Sequence, residues 1–271
     1  MTKFDLRNED CVGGMATLAE QSVDVVVTSP PYNLGIAYSH FADDQCRGAY
    51  LSWCATWAAE IRRVLKPTGS LFLNIAGSPS NPWLPHELVL QLRDTFVLQN
   101  TIHWIKSISL ENDDGTVTSR GHFKPISSPR FLNDCHEYIF HLTPTGRTPV
   151  DRLALGVPYA DKSNIARWSH TTGRDNRCRG NTWFIPYKTI QRRAKERPHP
   201  ATFPVELAEN CIRLHGVANV QTMLDPFLGI GNSAIAAQRC GVPRFIGFDI
   251  DANYVAEAQR RIAASSESGL Q

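Results

Sequence analysis

Residues 23–28 read Val-Asp-Val-Val-Val-Thr and stop at Ser29-Pro30-Pro31. A short, continuous β-branched run suits a strand covered on both faces, and two prolines cannot extend it. Residues 70–75 (Ser-Leu-Phe-Leu-Asn-Ile) form a second such run after a Pro67-Thr68-Gly69 turn. Between them Leu51, Cys54, Ala55, Ala58, Ile61 and Leu65 fall at the spacing of a helix packed on a sheet. The alternation continues: helices are expected over 83–96, 205–214, 233–240 and 254–262, strands over 101–105, 137–142, 222–224 and 245–248. The tail from 265 is expected to fray. Strands alternating with helices imply an α/β domain with a mostly parallel sheet covered on both faces.

Residues 107–180 break the pattern. They are rich in Gly, Ser, Asn, Asp and Pro and show little periodicity, so they read as a functional insert or small subdomain. That leaves 1–106 and 181–271 as the α/β domain. Between residues 167 and 197 lie Arg167, Arg174, Arg177, Arg179, Lys188, Arg192, Arg193, Lys195 and Arg197, opposed only by Asp175 and Glu196. The net charge of +2 does not by itself require a polyanionic partner, so the clustering carries the argument. Hydrophobic residues at 42% and charged residues at 20% fit a globular chain. The seven cysteines form no CxxC pair and their number is odd, which fits free thiols in a reducing, cytoplasmic setting and gives no support for a zinc site. No apolar run approaches the ~20 residues that span a bilayer, and none at the N-terminus resembles a signal peptide.

Two loops carry the chemistry. Near the C-terminus, Leu224-Asp225-Pro226-Phe227-Leu228-Gly229-Ile230-Gly231-Asn232-Ser233-Ala234 follows a strand and opens a helix. Gly229, Gly231 and Ala234 make a G-x-G-x-x-A pattern whose glycines let a ligand approach the backbone. Asp249, 20 residues beyond Gly229, ends the next strand, where a carboxylate can accept from both ribose hydroxyls of an adenosine. The pattern admits a nicotinamide cofactor or S-adenosylmethionine. Asp225 suits a cationic ligand better than a pyrophosphate, and a dehydrogenase usually carries such a loop first in its chain.

Near the N-terminus, Thr28-Ser29-Pro30-Pro31-Tyr32-Asn33 leaves the first strand. The prolines fix φ and remove N–H donors. Rigid carbonyl acceptors remain, beside a hydroxyl and an aromatic ring. Such a set can hold the amino group of a planar base and free its lone pair to attack an electrophile.

With these residues in view the chain resembles the amino-group DNA methyltransferases, the N4-cytosine/N6-adenine family that uses S-adenosylmethionine, in their permuted β-type order. The resemblance rests on Ser29-Pro30-Pro31-Tyr32, Asp10-Cys11, the turn at 64–69, His199-Pro200-Ala201-Thr202-Phe203-Pro204, the loop from Asp225 to Gly231, and Gly247-Phe248-Asp249. It implies a Rossmann-like class-I methyltransferase sheet, with 107–180 as target-recognition insert. By the same resemblance Ser29, Pro30, Pro31 and Tyr32 are catalytic. The cofactor residues would be Asp10, Cys11, Thr28, Pro200, Thr202, Phe203, Asp225, Phe227, Gly229, Gly231, Asn232, Ser233, Asp249 and Ile250. Arg167, Arg174, Arg177, Arg179 and Lys188 are candidates for phosphate contacts on double-stranded DNA, with Trp168 and Trp183 beside them.

Neither a metal nor a membrane is implied, and a homodimer is compatible. Asn232 stands where a small hydroxyl residue is commoner. Ser29 replaces the aspartate typical of adenine-modifying relatives and leans toward N4 of cytosine in duplex DNA, with N6 of adenine as the alternative. A C5-cytosine enzyme is disfavoured, since no Pro-Cys pair supplies a nucleophile. Rivals are an enzyme of the same chemistry acting on RNA or a free nucleotide, a nicotinamide-dependent dehydrogenase, and an inactive DNA-binding module. His199 reads as loop-shaping, Trp53, Trp57 and Trp83 as core or partner contacts, and His136-Glu137 as the structural start of a strand.

Overall fold

A computed structural model describes residues 2–36, 38, 40–121, 123, 126–186 and 202–268. In chain order the elements are β1 (Lys3–Asn8), α1 (Cys11–Ala16), β2 (Val23–Thr28), α2 (Arg47–Val64), β3 (Leu65–Ile75), α3 (Leu84–Gln91) and β4 (Val97–Ile105). A hairpin of β5 (Ile108–Glu111) and β6 (Val117–Arg120) follows, then β7 (His136–Thr143), α4 (Ser163–Arg167) and β8 (Thr182–Phe184). The chain continues through α5 (Val205–His215), β9 (Thr222–Asp225), α6 (Asn232–Arg239), β10 (Arg244–Asp249) and α7 (Ala252–Ser268).

Among the described residues the main sheet has the order β1-β10-β9-β2-β3-β7-β4-β8. Only β7 runs against its neighbours. The continuous apolar run of β2 has the expected cause. Val25 and Val27 pack with α5, α6 and α7 on one face, while Val26 packs with α1, α2 and α3 on the other. All six residues of β2 are buried. The strand order reverses between β9 and β2, so the carboxyl ends of these two strands lie side by side. In open α/β sheets that crevice is where ligands bind.

Several boundaries differ from expectation. The Pro67 turn is a bulge inside β3: Val23 pairs with Leu65 and Val25 with Ser70, so residues 66–69 loop out of register. The helix expected over 83–96 ends at Gln91. Leu88, Leu92 and Phe96 keep helical spacing and are buried, but the last two are delivered by a turn. The tail holds its helix to Ser268. The 107–180 stretch is not one uninterrupted insert, because its middle forms β7, between β3 and β4. No described helix is long and apolar enough to cross a membrane.

Asp24, the one charge inside β2, fastens the start of the sheet. Its Oδ2 accepts from the Gln221 and Thr222 N–H groups at 2.9 and 2.8 Å, and its Oδ1 lies 2.6 Å from Lys66 Nζ. The side chain is 8% exposed. Removing it strands two backbone donors and a cation. Asp24→Ala should therefore lose about 3 kcal/mol of stability, read as a lower urea midpoint at unchanged m-value.

Candidate active site

The Ser-Pro-Pro-Tyr loop leaves β2 and is pinned where it turns. The Tyr50 hydroxyl of α2 donates to the Pro31 carbonyl at 2.8 Å. Beyond Tyr32 the chain is gathered by Asp43, whose carboxylate accepts from the Asn33, Leu34 and Ile36 N–H groups. Asn33 itself takes a left-handed φ of 54°. The tyrosine hydroxyl sits in a buried polar cluster, 2.8 Å from Ser29 Oγ and 3.0 Å from Glu137 Oε2. Asn74 Nδ2 donates to Tyr32 Oη at 2.7 Å and to Glu137 Oε2 at 2.8 Å. Lys106 Nζ closes the cluster, 3.2 Å from Glu137 Oε1. Burial, and then the Glu137 charge, push the Tyr32 phenol well above its usual range, so it stays protonated.

On the other side of the junction, Asp225 ends β9 and is 1% exposed. The sequence suggests that its carboxylate meets the ligand. It points instead into the protein, and the reason is visible in its partners. Thr28 Oγ1 donates to Oδ1 at 2.7 Å, Ser233 Oγ to Oδ2 at 2.5 Å, and the Phe227 N–H to Oδ1 at 3.0 Å. Desolvation still outweighs these bonds and lifts the acid from 3.8 to about 6. Thr28, Asp225 and Ser233 thus form the wall behind the loop rather than its surface.

Gly231 takes φ 80° and opens α6; a Cβ there would come within 2.8 Å of Ala258 Cβ, so the position needs glycine. Asn232 is committed too. Its Nδ2 donates to the Phe203 carbonyl at 2.6 Å, and its Oδ1 accepts from Arg261 Nη1 at 2.7 Å. The longer amide therefore ties α6 to the segment before α5 and to α7, a task a serine could not reach. Asp249 accepts from the Gly229 N–H at 2.8 Å and from the Asp251 N–H at 2.9 Å, and burial raises its acidity constant above the usual carboxylate range. Asp10 caps α1 through the Val12 and Gly13 N–H groups. Phe227 is wedged between Trp53 and Trp57, with centroids 5.5 and 5.7 Å away.

Both loops open into one cavity of about 610 Å³. Of the residues the sequence singled out, Asp10, Cys11, Ser29, Pro30, Pro31, Tyr32, Thr202, Phe203, Phe227, Gly229, Asn232, Asp249 and Ile250 line it. Thr28, Asp225, Gly231 and Ser233 do not. Pro200 and Lys188, with His199 and the basic residues from Arg192 to Arg197, lie outside the described residues.

Arg167, Arg174, Arg177 and Arg179 are exposed and do not line the cavity. Their segment is anchored where the Asp151 N–H meets the Leu214 carbonyl, at the end of α5 remote from Phe203. Arg179 also donates to the Leu155 carbonyl. Sequence reasoning missed Asn74, Lys106 and Glu137, and took Glu137 for a structural residue. The available signal was polarity at the cavity end of otherwise apolar strands.

A family model described as DNA methylase, for N6 and N4 methyltransferases, matches residues 23–260. The chain belongs to that family. The Type II methyltransferase M.ScaI of Streptomyces caespitosus is 28% identical over 275 residues, covering 97% of this chain and 82% of that one. The DNA adenine methyltransferase YhdJ of Escherichia coli (strain K12) is 24% identical over 265 residues, covering 95% and 82%. Among solved structures, the cytosine-N4-specific PvuII DNA methyltransferase matches with a TM-score of 0.66 at 18% identity, covering 98% of this chain and 92% of that one. A DNA modification methylase of Thermus thermophilus, TTHA0409, solved with S-adenosyl-L-methionine, gives 0.63 at 24% identity, covering 97% and 94%. The fold is that of class-I methyltransferases.

The raised acidity constant of Asp225 has a measurable sign. Between about pH 4 and about pH 6 the folded chain keeps a proton that the unfolded chain has released. Its contribution to stability therefore falls as pH rises through that window, by up to about 3 kcal/mol. The unfolding free energy of the native chain minus that of Asp225→Asn should decline over this range and level off above it.

Proposed function

We propose that this DNA methylase moves a methyl group from S-adenosylmethionine to the exocyclic N4 of cytosine in duplex DNA. The observation that carries the reading is the shared cavity: the loop after β2 and the loop after β9 face each other across it. The residues present fit the cofactor. Asp249 uses two acceptor positions on backbone N–H groups and, as a carboxylate with about four, keeps capacity for ribose hydroxyls. Phe203, Phe227 and Ile250 add apolar surface, and Asp10 adds a second acid. S-Adenosylmethionine supplies an electrophilic methyl group carried on a sulfonium centre.

The protein's own part is to hold the amino group. Ser29 Oγ and the Pro30 carbonyl accept its N–H bonds, which draws the nitrogen toward tetrahedral geometry and frees its lone pair. Tyr32, held by its hydroxyl, offers its ring to the base. A base inside a duplex cannot reach this depth, so the target must turn out of the helix. The excursion between β4 and β7, which lines the cavity with Phe123, Ile126 and Leu132, is the part of the 107–180 insert placed to read the target. Arg167, Arg174, Arg177, Arg179 and Lys188 then serve phosphates farther along the duplex.

Ser29 supports cytosine, because a hydroxyl holds an amino group less strongly than the carboxylate of adenine-modifying relatives. The similarity to an adenine methyltransferase favours N6 of adenine as the second reading. Incubation with genomic DNA and labelled cofactor, followed by nucleoside mass spectrometry, should yield N4-methylcytosine. N6-methyladenine instead would establish the second reading, and neither product would overturn both. Ser29→Ala should lower the transfer rate by about 100-fold or more, with cofactor affinity and melting temperature retained.

A further inference from the structure

The Lys106–Glu137 pair lines the cavity within bonding reach of Tyr32 and Asn74, yet no step above uses it. The two side chains are 19% and 14% exposed. Burying a carboxylate is costly unless its oxygens are matched by donors, and here each donor is identifiable. Lys106 serves Oε1, while Tyr32 and Asn74 serve Oε2. A carboxylate only accepts, so it dictates the direction of every bond around it.

Tyr32 has one proton. With Glu137 Oε2 at 3.0 Å that proton points to the carboxylate, or to the Asn74 carbonyl at 3.2 Å, and both are pure acceptors. The 2.8 Å contact between Tyr32 and Ser29 then has one solution: Ser29 is the donor. The Asn74 amide is oriented in the same way, with Nδ2 toward Glu137; its Oδ1 is left as a buried acceptor without a partner among the described residues. Ser29 Oγ, its proton already given to Tyr32, presents only lone pairs to the cavity.

We infer that Glu137 is a positioning residue that, through Tyr32, holds Ser29 as an obligate hydrogen-bond acceptor and so makes the pocket select a base carrying an amino group over one carrying a carbonyl. The inference rests on the reading of the cavity as the target-base site. It names no new chemical step; Glu137 sets the polarity of the hydroxyl that meets the substrate. Without its charge the Tyr32 proton can turn to Ser29, and the serine can then donate to a carbonyl oxygen.

The test uses the full-length enzyme and a duplex bearing its mapped methylation site. A second duplex carries, at the target position, the base with carbonyl in place of amino: uracil for cytosine, or hypoxanthine for adenine. The ratio of the two affinities is measured for the native chain, Glu137→Gln, Tyr32→Phe and the double variant, each checked for native melting and unchanged KM for S-adenosylmethionine. Changes in duplex pairing affect all four proteins equally and cancel between them.

Glu137→Gln should shift the ratio toward the carbonyl base by about 10-fold and slow single-turnover transfer by about 10- to 100-fold. Tyr32→Phe should shift the ratio similarly, and the double variant no further, since the two act in one chain. A shift that adds in the double variant, or an unchanged ratio in both single variants, would overturn the inference. If Glu137→Gln fails to fold, an unchanged ratio in Tyr32→Phe does so alone. Failure of the native chain to methylate DNA would instead refute the functional reading.

Discussion

One carboxylate holds the two halves of this protein together where it matters. Asp225 draws Thr28 from the end of β2 and Ser233 from the start of α6 onto its two oxygens, across a sequence separation of 197 residues between Thr28 and Asp225. The sheet order brings those segments together, but parallel strand pairing alone leaves the loops beyond it free to diverge. The buried acid removes that freedom, at the cost of desolvating an ionisable group. The position of the Ser-Pro-Pro-Tyr loop relative to the glycine loop follows from it.

A second polar cluster stands a short way along the same edge and is organised differently. Asp225 is saturated by hydroxyls and an N–H and presents nothing outward. Glu137 is saturated by Lys106, Asn74 and Tyr32, but its partners themselves reach the cavity. One network fixes the scaffold; the other passes its orientation to a surface. Both consist of groups that would be expensive to leave unmatched, which is why they are well defined in direction as well as distance.

Much of this was legible in advance where burial imposes a pattern. The runs at β2 and β9, the helices α2, α5 and α6, and the loops that leave those strands all declare themselves, because a strand covered on both faces has little choice of residue. β1 and β8 were not read. The first is a half-exposed edge strand with charged residues on it, and the second spans three residues. The site was legible where a loop carries its own motif. Lys106, Asn74 and Glu137 come from three strands, and their meeting depends on the pairing of β3, β7 and β4, which no local spacing encodes. Asp225 shows the complementary error: its identity and place were legible, and the direction of its side chain was not.

The excursion between β4 and β7 leaves the sheet after Ile105 and returns at His136, and those two residues are paired across the ladder. The Lys106 N–H to Cys135 carbonyl bond at 2.7 Å clamps its neck. A segment tethered at both ends of a closed neck behaves as an interchangeable cassette. The entropy of closing it grows only with the logarithm of its length, so residues can be added, lost or replaced there while the strands beneath keep their register. Descendants of such a chain can diversify what they grip without rebuilding the machinery below.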